Sequence, residues 1–171
     1  GKQPSSVVSA TYVLKTFFTL PVVCLVTDPN GLWDSKTGIF AAGDGIDLTS
    51  YTKIPFQNPT PTYRIQKENH VRVPSYAEMF EQSGEVVFSQ GVEFGIIGQY
   101  SLDMPQKSIK VIAKARYGSK YINGALFPDR EFTQYRAFVL RNSGNDCVWT
   151  RMVDGVQSRL IDQFDTTVIH Q

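Results

Sequence analysis

The stretch from Gly91 to Ala115 sets the tightest limit on what this chain can fold into. GVEFGII (Gly91 to Ile97) and KSIKVIAKA (Lys107 to Ala115) flank a polar loop running from Gly98 to Gln106. Side chains alternate between the two faces of a strand, so the pair reads as an antiparallel hairpin with a long connection. In the second strand Lys107, Ile109, Val111 and Ala113 share one face, while Ser108, Lys110 and Lys114 share the other. Lys107 is therefore expected to point inward. An unpaired buried ammonium is costly, so it needs a carboxylate, a phosphate or a route to water.

Other segments extend the β-rich pattern. Ser5 to Leu14, Phe17 to Val26, Pro74 to Phe80, Glu85 to Ser89 and Tyr135 to Leu140 read as strands, with a short helix over Ser75 to Phe80 as an alternative. Asp28-Pro29-Asn30-Gly31 has turn chemistry, and Leu32-Trp33-Asp34 begins a short helical turn or loop ending at Gly38. Ala42 to Pro74 is rich in Gly, Asp, Thr, Asn and Pro without a sustained period, which predicts an irregular excursion. Gly118 and Gly124 punctuate the next stretch, and Phe127-Pro128-Asp129 marks a further turn. One helix is expected, over Thr150 to Phe164, where Met152, Val153, Val156, Leu160, Ile161 and Phe164 recur at helical spacing and Thr150 or Asp146 caps the start. The expected class is α+β, mostly antiparallel β with few helices.

At 171 residues the chain has enough length for a sizeable core, and 42% hydrophobic with 19% charged residues is a globular composition. A net charge of +1 gives no electrostatic case for nucleic acid or an anionic membrane. The longest apolar run, Leu20 to Val26, is interrupted by Pro21 and too short to span a bilayer. Cys24 and Cys147 read as two free, mostly buried thiols, with a disulfide between them as the alternative. His70 and His170 lack the clustered cysteines or carboxylates of a structural metal site, so no metal ligands are assigned. Asp44-Gly45-Ile46-Asp47 lacks the remaining oxygen ligands of a calcium loop and reads as a plain turn.

Chemistry concentrates in two loops. Gly91, Gly95 and Gly98 precede the lysine strand but fit neither a dinucleotide nor a Walker pattern, and glycines in strands more often mark bulges or close packing. Arg141-Asn142-Ser143-Gly144-Asn145-Asp146 offers a guanidinium, two amides, a hydroxyl and a carboxylate just before a helix, where backbone N–H groups attract anions. The same loop also reads as a turn whose polar side chains satisfy their own backbone. Asp154, on the helix, is either the acid that orients the lysine or an exposed partner of Arg151 or Arg159. Neither histidine stands near a nucleophile signature, so a hydrolase triad has no support. The order of hairpin, lysine strand and acid-bearing helix is that of a kinase small lobe.

At these residues the chain resembles the spore coat protein H (CotH) kinase family, of atypical protein-kinase-like fold. The resemblance is carried by LPVVCLVTDPNGLWDSKTGIF (Leu20 to Phe40), PQKSIKVIAKAR (Pro105 to Arg116), Leu126-Phe127-Pro128-Asp129, VLRNSGND (Val139 to Asp146) and RMVDGVQSRL (Arg151 to Leu160). It implies ATP and Mg2+ in the complete domain, with phosphoryl transfer to serine-containing protein substrates. Lys107 would contact phosphate, with Asp154 or a neighbour orienting it. Gly98, Ser101, Gln106, Arg141, Asn142, Asn145, Asp146 and Arg151 are the further candidates for cofactor binding.

Two departures qualify that expectation. Family members commonly carry a Ser-Arg pair where this chain has Ser101-Leu102, which removes a cation. The family's acidic catalytic and metal-binding residues follow stretches corresponding to this chain's last helix, so residues 16–171 are expected to be an incomplete kinase-like domain with negligible activity alone. Residues 1–15 read as the tail of a preceding sandwich-like module or a linker, similar to repeats beside extracellular modules. That similarity implies a multidomain bacterial parent at the cell surface or secreted, with the spore coat as the alternative.

Two competing readings remain open at this level. One is a non-catalytic adhesion module using exposed aromatics among Trp33, Tyr51, Tyr63, Tyr76 and Tyr100. The other is a structural domain in which Lys107 and Asp154 form a buried ion pair.

Overall fold

The computed structural model describes residues 9–14, 18–41, 70–128, 130–146 and 149–163. These build an antiparallel five-stranded sheet in the spatial order β1 (Val22–Thr27), β2 (Val73–Phe80), β3 (Val86–Ile97), β4 (Ser108–Ile112) and β7 (Ala137–Leu140). A two-stranded ribbon, β5 (Ile122–Asn123) with β6 (Gln134–Tyr135), lies beside it. The helices among the described residues are α1 (Pro29–Trp33) and α2 (Val153–Asp162). The fold is thus α+β and mostly antiparallel β.

The expected hairpin forms, with Phe94 opposite Val111 and Ile96 opposite Ile109. Opposed residues of antiparallel strands point to the same face. One face therefore gathers Val73, Val92, Phe94, Ile96, Val111 and Phe138, which form the core together with Ile39, Leu102, Ile122 and Leu126. Complete burial of each such side chain contributes about 1.5–3 kcal/mol by transfer from water.

The opposite face is also largely covered, which the hairpin's alternation does not anticipate. Glu78, Glu93 and Ser108 are all buried there. Glu93 pairs with Arg116, and Glu78 accepts a hydrogen bond from Ser89 Oγ at 3.0 Å, which also bonds the Tyr76 hydroxyl. The glycines of β3 allow this cover to approach. A Cβ on Gly91 would sit 2.7 Å from the Cβ of Tyr117, and one on Gly95 would sit 2.5 Å from Arg72 Nη1. Close packing, the commoner role of strand glycines, accounts for both.

Several elements differ from their sequence expectation. Glu85 to Ser89 and Gly91 to Ile97 are one continuous strand, because Gly91 stays in register opposite Tyr76; the irregularity falls instead between Met79 and Phe80. Pro74 to Phe80 is strand and not helix. The first sheet strand starts at Val22, not Phe17: Pro21, directly before it, lacks an N–H, and Leu20 stays exposed. Of Ser5 to Leu14, residues 9–14 join no strand, with Tyr12 and Leu14 exposed.

The turn at Asp28 is the beginning of α1, for Pro29 occupies its first turn and Asp28 Oδ1 accepts from Asn30 N at 2.9 Å. Tyr135 to Leu140 divides at Arg136, whose carbonyl accepts from Ala113 N at 3.0 Å, so that β6 joins the ribbon and β7 the main sheet. Residues 42–69 of the irregular excursion, including Asp44 to Asp47, lie outside the described residues, as do Cys147, His170 and Phe164. Cys24 is a free thiol.

Helix α2 is shorter than expected and sits the other way round. Among its described side chains the half-buried ones are Asp154 and Ser158, one turn apart, whereas Val153, Val156, Leu160 and Ile161 are exposed. The Asp154 carboxylate, paired with Arg141, holds the helix to the end of β7.

Candidate functional site

The two loops singled out in the sequence meet at Asn142, which is 3% exposed. Its Nδ2 donates to the carbonyls of Gln106 at 2.8 Å and Ser101 at 3.5 Å. Its Oδ1 accepts from Ser108 Oγ at 2.8 Å and Gly144 N at 3.0 Å, and its own N–H donates to Ser108 Oγ at 3.0 Å. An amide side chain has two donor hydrogens and two acceptor lone pairs. All four are committed here, so Asn142 fastens the Gly98–Gln106 loop to the Arg141–Asp146 loop and retains no capacity for a phosphate.

Gly98 and Ser101 belong to the same knot. Gly98 has φ +131, a conformation L side chains rarely adopt, and the Ser101 hydroxyl fills the space a Cβ would need. Leu102, at the position where the resembled family commonly has arginine, is 1% exposed and packs in the core. The loop is therefore anchored by an apolar side chain.

Asp146 serves the helix. Its carboxylate accepts from Thr150 Oγ1 at 2.7 Å, Thr150 N at 3.0 Å, Met152 N at 2.9 Å and Val153 N at 3.2 Å. It thus satisfies backbone donors at the start of α2, although the N-cap position itself is held by Met152 and not by Thr150 or Asp146. The Thr150 hydroxyl, followed by these backbone donors, holds its pKa below the ordinary aspartate value. Asn145 lies in the same single turn, Gly144–Asp146.

Beside this knot a cleft of about 1210 Å³ runs along β7. Its lining includes Gln106, Lys110, Arg141, Ser143, Arg151 and Asp154 toward the loops, and Phe127, Arg130, Phe132, Tyr135 and Arg136 toward the ribbon. Among the described residues, five of the lining side chains are cationic and one, Asp154, is anionic. Asp154 Oδ2 accepts from Arg141 Nε at 2.8 Å, which ties α2 to the end of β7. Ser143, at φ 68, donates to the Arg151 carbonyl at 3.2 Å, a second tie between the loop and the segment entering α2. Burial raises the Tyr135 phenol's pKa, and its hydroxyl donates to the Phe132 carbonyl at 2.6 Å.

The two lysines are placed differently from the sequence expectation. Lys107 precedes β4 rather than standing within it, and its ammonium donates to the Met104 carbonyl at 2.6 Å; it does not line the cleft. Lys110, read as outward-facing, stands opposite Val139 on one side and Gly95 on the other and lines the cleft. Asp154 accordingly pairs with Arg141, and the Lys107–Asp154 ion pair does not form.

Of the residues proposed from sequence, Gln106, Arg141, Arg151 and Asp154 converge on the cleft, and Gly98, Ser101 and Asn142 on the knot behind it. Lys110 and Arg136 are additional cleft residues. The parity that puts Lys110 with Gly95 on the sheet's second face was visible, but burial of that face was not. Among the aromatics proposed for adhesion, Trp33 is exposed and rests against Phe40, the Tyr76 hydroxyl is engaged by Ser89, and Tyr51 and Tyr63 lie outside the described residues. Compared with known proteins, the chain matches no family model, no curated protein and no solved structure.

Proposed function

We propose that the chain forms the β-rich small lobe of a CotH-like atypical protein kinase and that the loop end of the cleft receives the phosphates of ATP. The observation that carries this reading is the convergence of Lys110, Arg141 and Arg151 with Gln106 and Ser143 at one end of the cleft. Lys110 stands in β4 opposite Val139, Arg141 directly follows β7, and both line the cleft, so both charges can address one polyanion. Phosphate oxygens favour this donor set, because guanidinium and ammonium groups form charge-assisted hydrogen bonds with them. In this reading Lys110 takes the phosphate-contacting role that the sequence assigns to Lys107. Asp154 holds Arg141 in position and so links α2 to the phosphate end.

The same residues do not fit a divalent metal ion. Asp154 is already engaged by Arg141, and no group of three ligating side chains occurs among the described residues. The resemblance assigns metal-binding and catalytic acids to family stretches beyond those matched here, and transfer to serine-containing proteins is proposed for such a complete domain. A place at the bacterial cell surface belongs to the same proposal.

The test is displacement of a fluorescent ATP analogue from the purified chain. Displacement by ATP and by pyrophosphate, but not by adenosine, is expected if phosphate recognition dominates. Equal displacement by adenosine, or no binding of the analogue to folded protein, counts against the reading.

A further inference from the structure

We propose that the free edge of β7 receives an extended, acidic polypeptide as a sixth strand of the main sheet. The argument begins with hydrogen-bond direction. Ala113 N donates to the Arg136 carbonyl, and Val111–Phe138 and Ile109–Leu140 continue the same register. In an antiparallel ladder, pairs that exchange hydrogen bonds alternate with pairs that do not. Arg136, Phe138 and Leu140 therefore direct their main-chain groups toward β4, while those of Ala137 and Val139 face away from the sheet. These groups have no hydrogen-bond partner among the described residues.

The cleft opens along that same edge. Its lining includes every residue of β7, from both faces of the strand, so its space follows the unpaired side. Edge strands are commonly protected by proline, inward charge or a bulge. Ala137-Phe138-Val139-Leu140 has none of these. An added strand would gain main-chain hydrogen bonds from the edge and side-chain selectivity from alternate positions.

Charge identifies the occupant. On the face of Val139 stands Lys110, Arg141 follows directly after the strand, and among the described residues the lining carries more cationic side chains than carboxylates. On the opposite face stands Phe138, and Phe132, which is 61% exposed, and Tyr135 also line the cleft. A strand alternating acidic and apolar residues matches both faces at once: carboxylates on the face of Lys110, apolar side chains on the face of Phe138. The inference does not rest on the nucleotide reading, because strand pairing uses the main chain of β7; Lys110 is common to both, so ATP and the acidic strand would compete there.

The experiment measures fluorescence anisotropy of a labelled short peptide alternating valine and glutamate, with its lysine-for-glutamate counterpart as the charge control. Two further peptides carry N-methyl groups on alternate amides, one in each register. The acidic peptide should bind and the lysine peptide should not. Methylation in one register should weaken binding about tenfold or more through lost main-chain hydrogen bonds, while methylation in the other has little effect. The substitution Val139→Pro, which removes an N–H that faces away from the sheet, should abolish peptide binding with the circular dichroism unchanged. No binding, equal binding of both methylated peptides, or full affinity in folded Val139→Pro protein would overturn the proposal. ATP affinity measured on the same variant separates the two readings, since Lys110, Arg141 and Arg151 remain in place.

Discussion

Replacing Asn142 by alanine should disconnect the two loops that shape the cleft. The substitution removes two hydrogen bonds donated by Nδ2 and two accepted by Oδ1, at a residue 3% exposed. The bond to Ser101 at 3.5 Å is long and contributes little. That leaves the Gln106 carbonyl, the Ser108 hydroxyl and the Gly144 N–H without their partner. Each buried polar group left unsatisfied costs about 1–3 kcal/mol, and water admitted to the space recovers part of it, so a total of about 2–4 kcal/mol is expected. Ser108→Ala should cost about 1–2 kcal/mol, because its hydroxyl both donates to and accepts from Asn142. Since the two residues share a hydrogen-bond network, the double substitution should cost less than the sum by about 1 kcal/mol or more. Urea denaturation of the four proteins gives these differences when the m-values agree. A cost below about 0.5 kcal/mol for Asn142→Ala, the scale of an ordinary surface change, or strict additivity with Ser108→Ala, would refute the knot.

Other consequences follow from single contacts. Gly95→Ala should destabilise by about 1–3 kcal/mol in thermal or urea unfolding, because the new methyl meets the Val71 backbone carbonyl at 2.6 Å as well as the Arg72 guanidinium. Asp154→Asn weakens the tie between α2 and β7, so hydrogen exchange at the α2 amides should accelerate while the β3 amides keep their protection. The Asp146 carboxyl is held below the ordinary aspartate value by Thr150 and backbone N–H groups, and Asp34 likewise by Thr37, Lys36 and their amides. A depressed carboxyl contributes stability that is present above its unfolded pKa and lost as pH falls through its folded pKa. The Thr150 amide resonance should therefore titrate at a pH below that of an unperturbed aspartate, and the titration should vanish in Asp146→Asn.

Much of the sheet was legible because period-two alternation is local. GVEFGII and KSIKVIAKA specify two strands and their pairing from their own residues. What alternation cannot show is which faces are covered. Burial of both sheet faces turns Lys110, apparently outward, into a cleft residue, and it depends on Arg72, Arg116 and Tyr117 arriving from other parts of the chain. Lys107 was misplaced for a smaller reason: the strand begins one residue later, and a residue just outside a ladder can turn to the nearest carbonyl, here Met104.

The Asn142 loop shows the same limit. Its polar side chains suit either anion binding or self-satisfaction, and only the approach of Gln106 and Ser108 commits Asn142 to the second. The α2 periodicity was real, but periodicity does not state which side meets the protein. The Asp154–Arg141 bond holds the polar side against the sheet.

The most direct measurement is calorimetric titration of ATP into the wild-type chain, Lys110→Ala and Lys107→Ala under identical conditions. If the cleft holds the phosphates, Lys110→Ala should weaken binding about tenfold or more, the scale of a lost charge-assisted hydrogen bond, and Lys107→Ala should leave it nearly unchanged. Loss of binding on Lys107→Ala with full affinity retained in Lys110→Ala would contradict the account and return the phosphate site to the loop before β4.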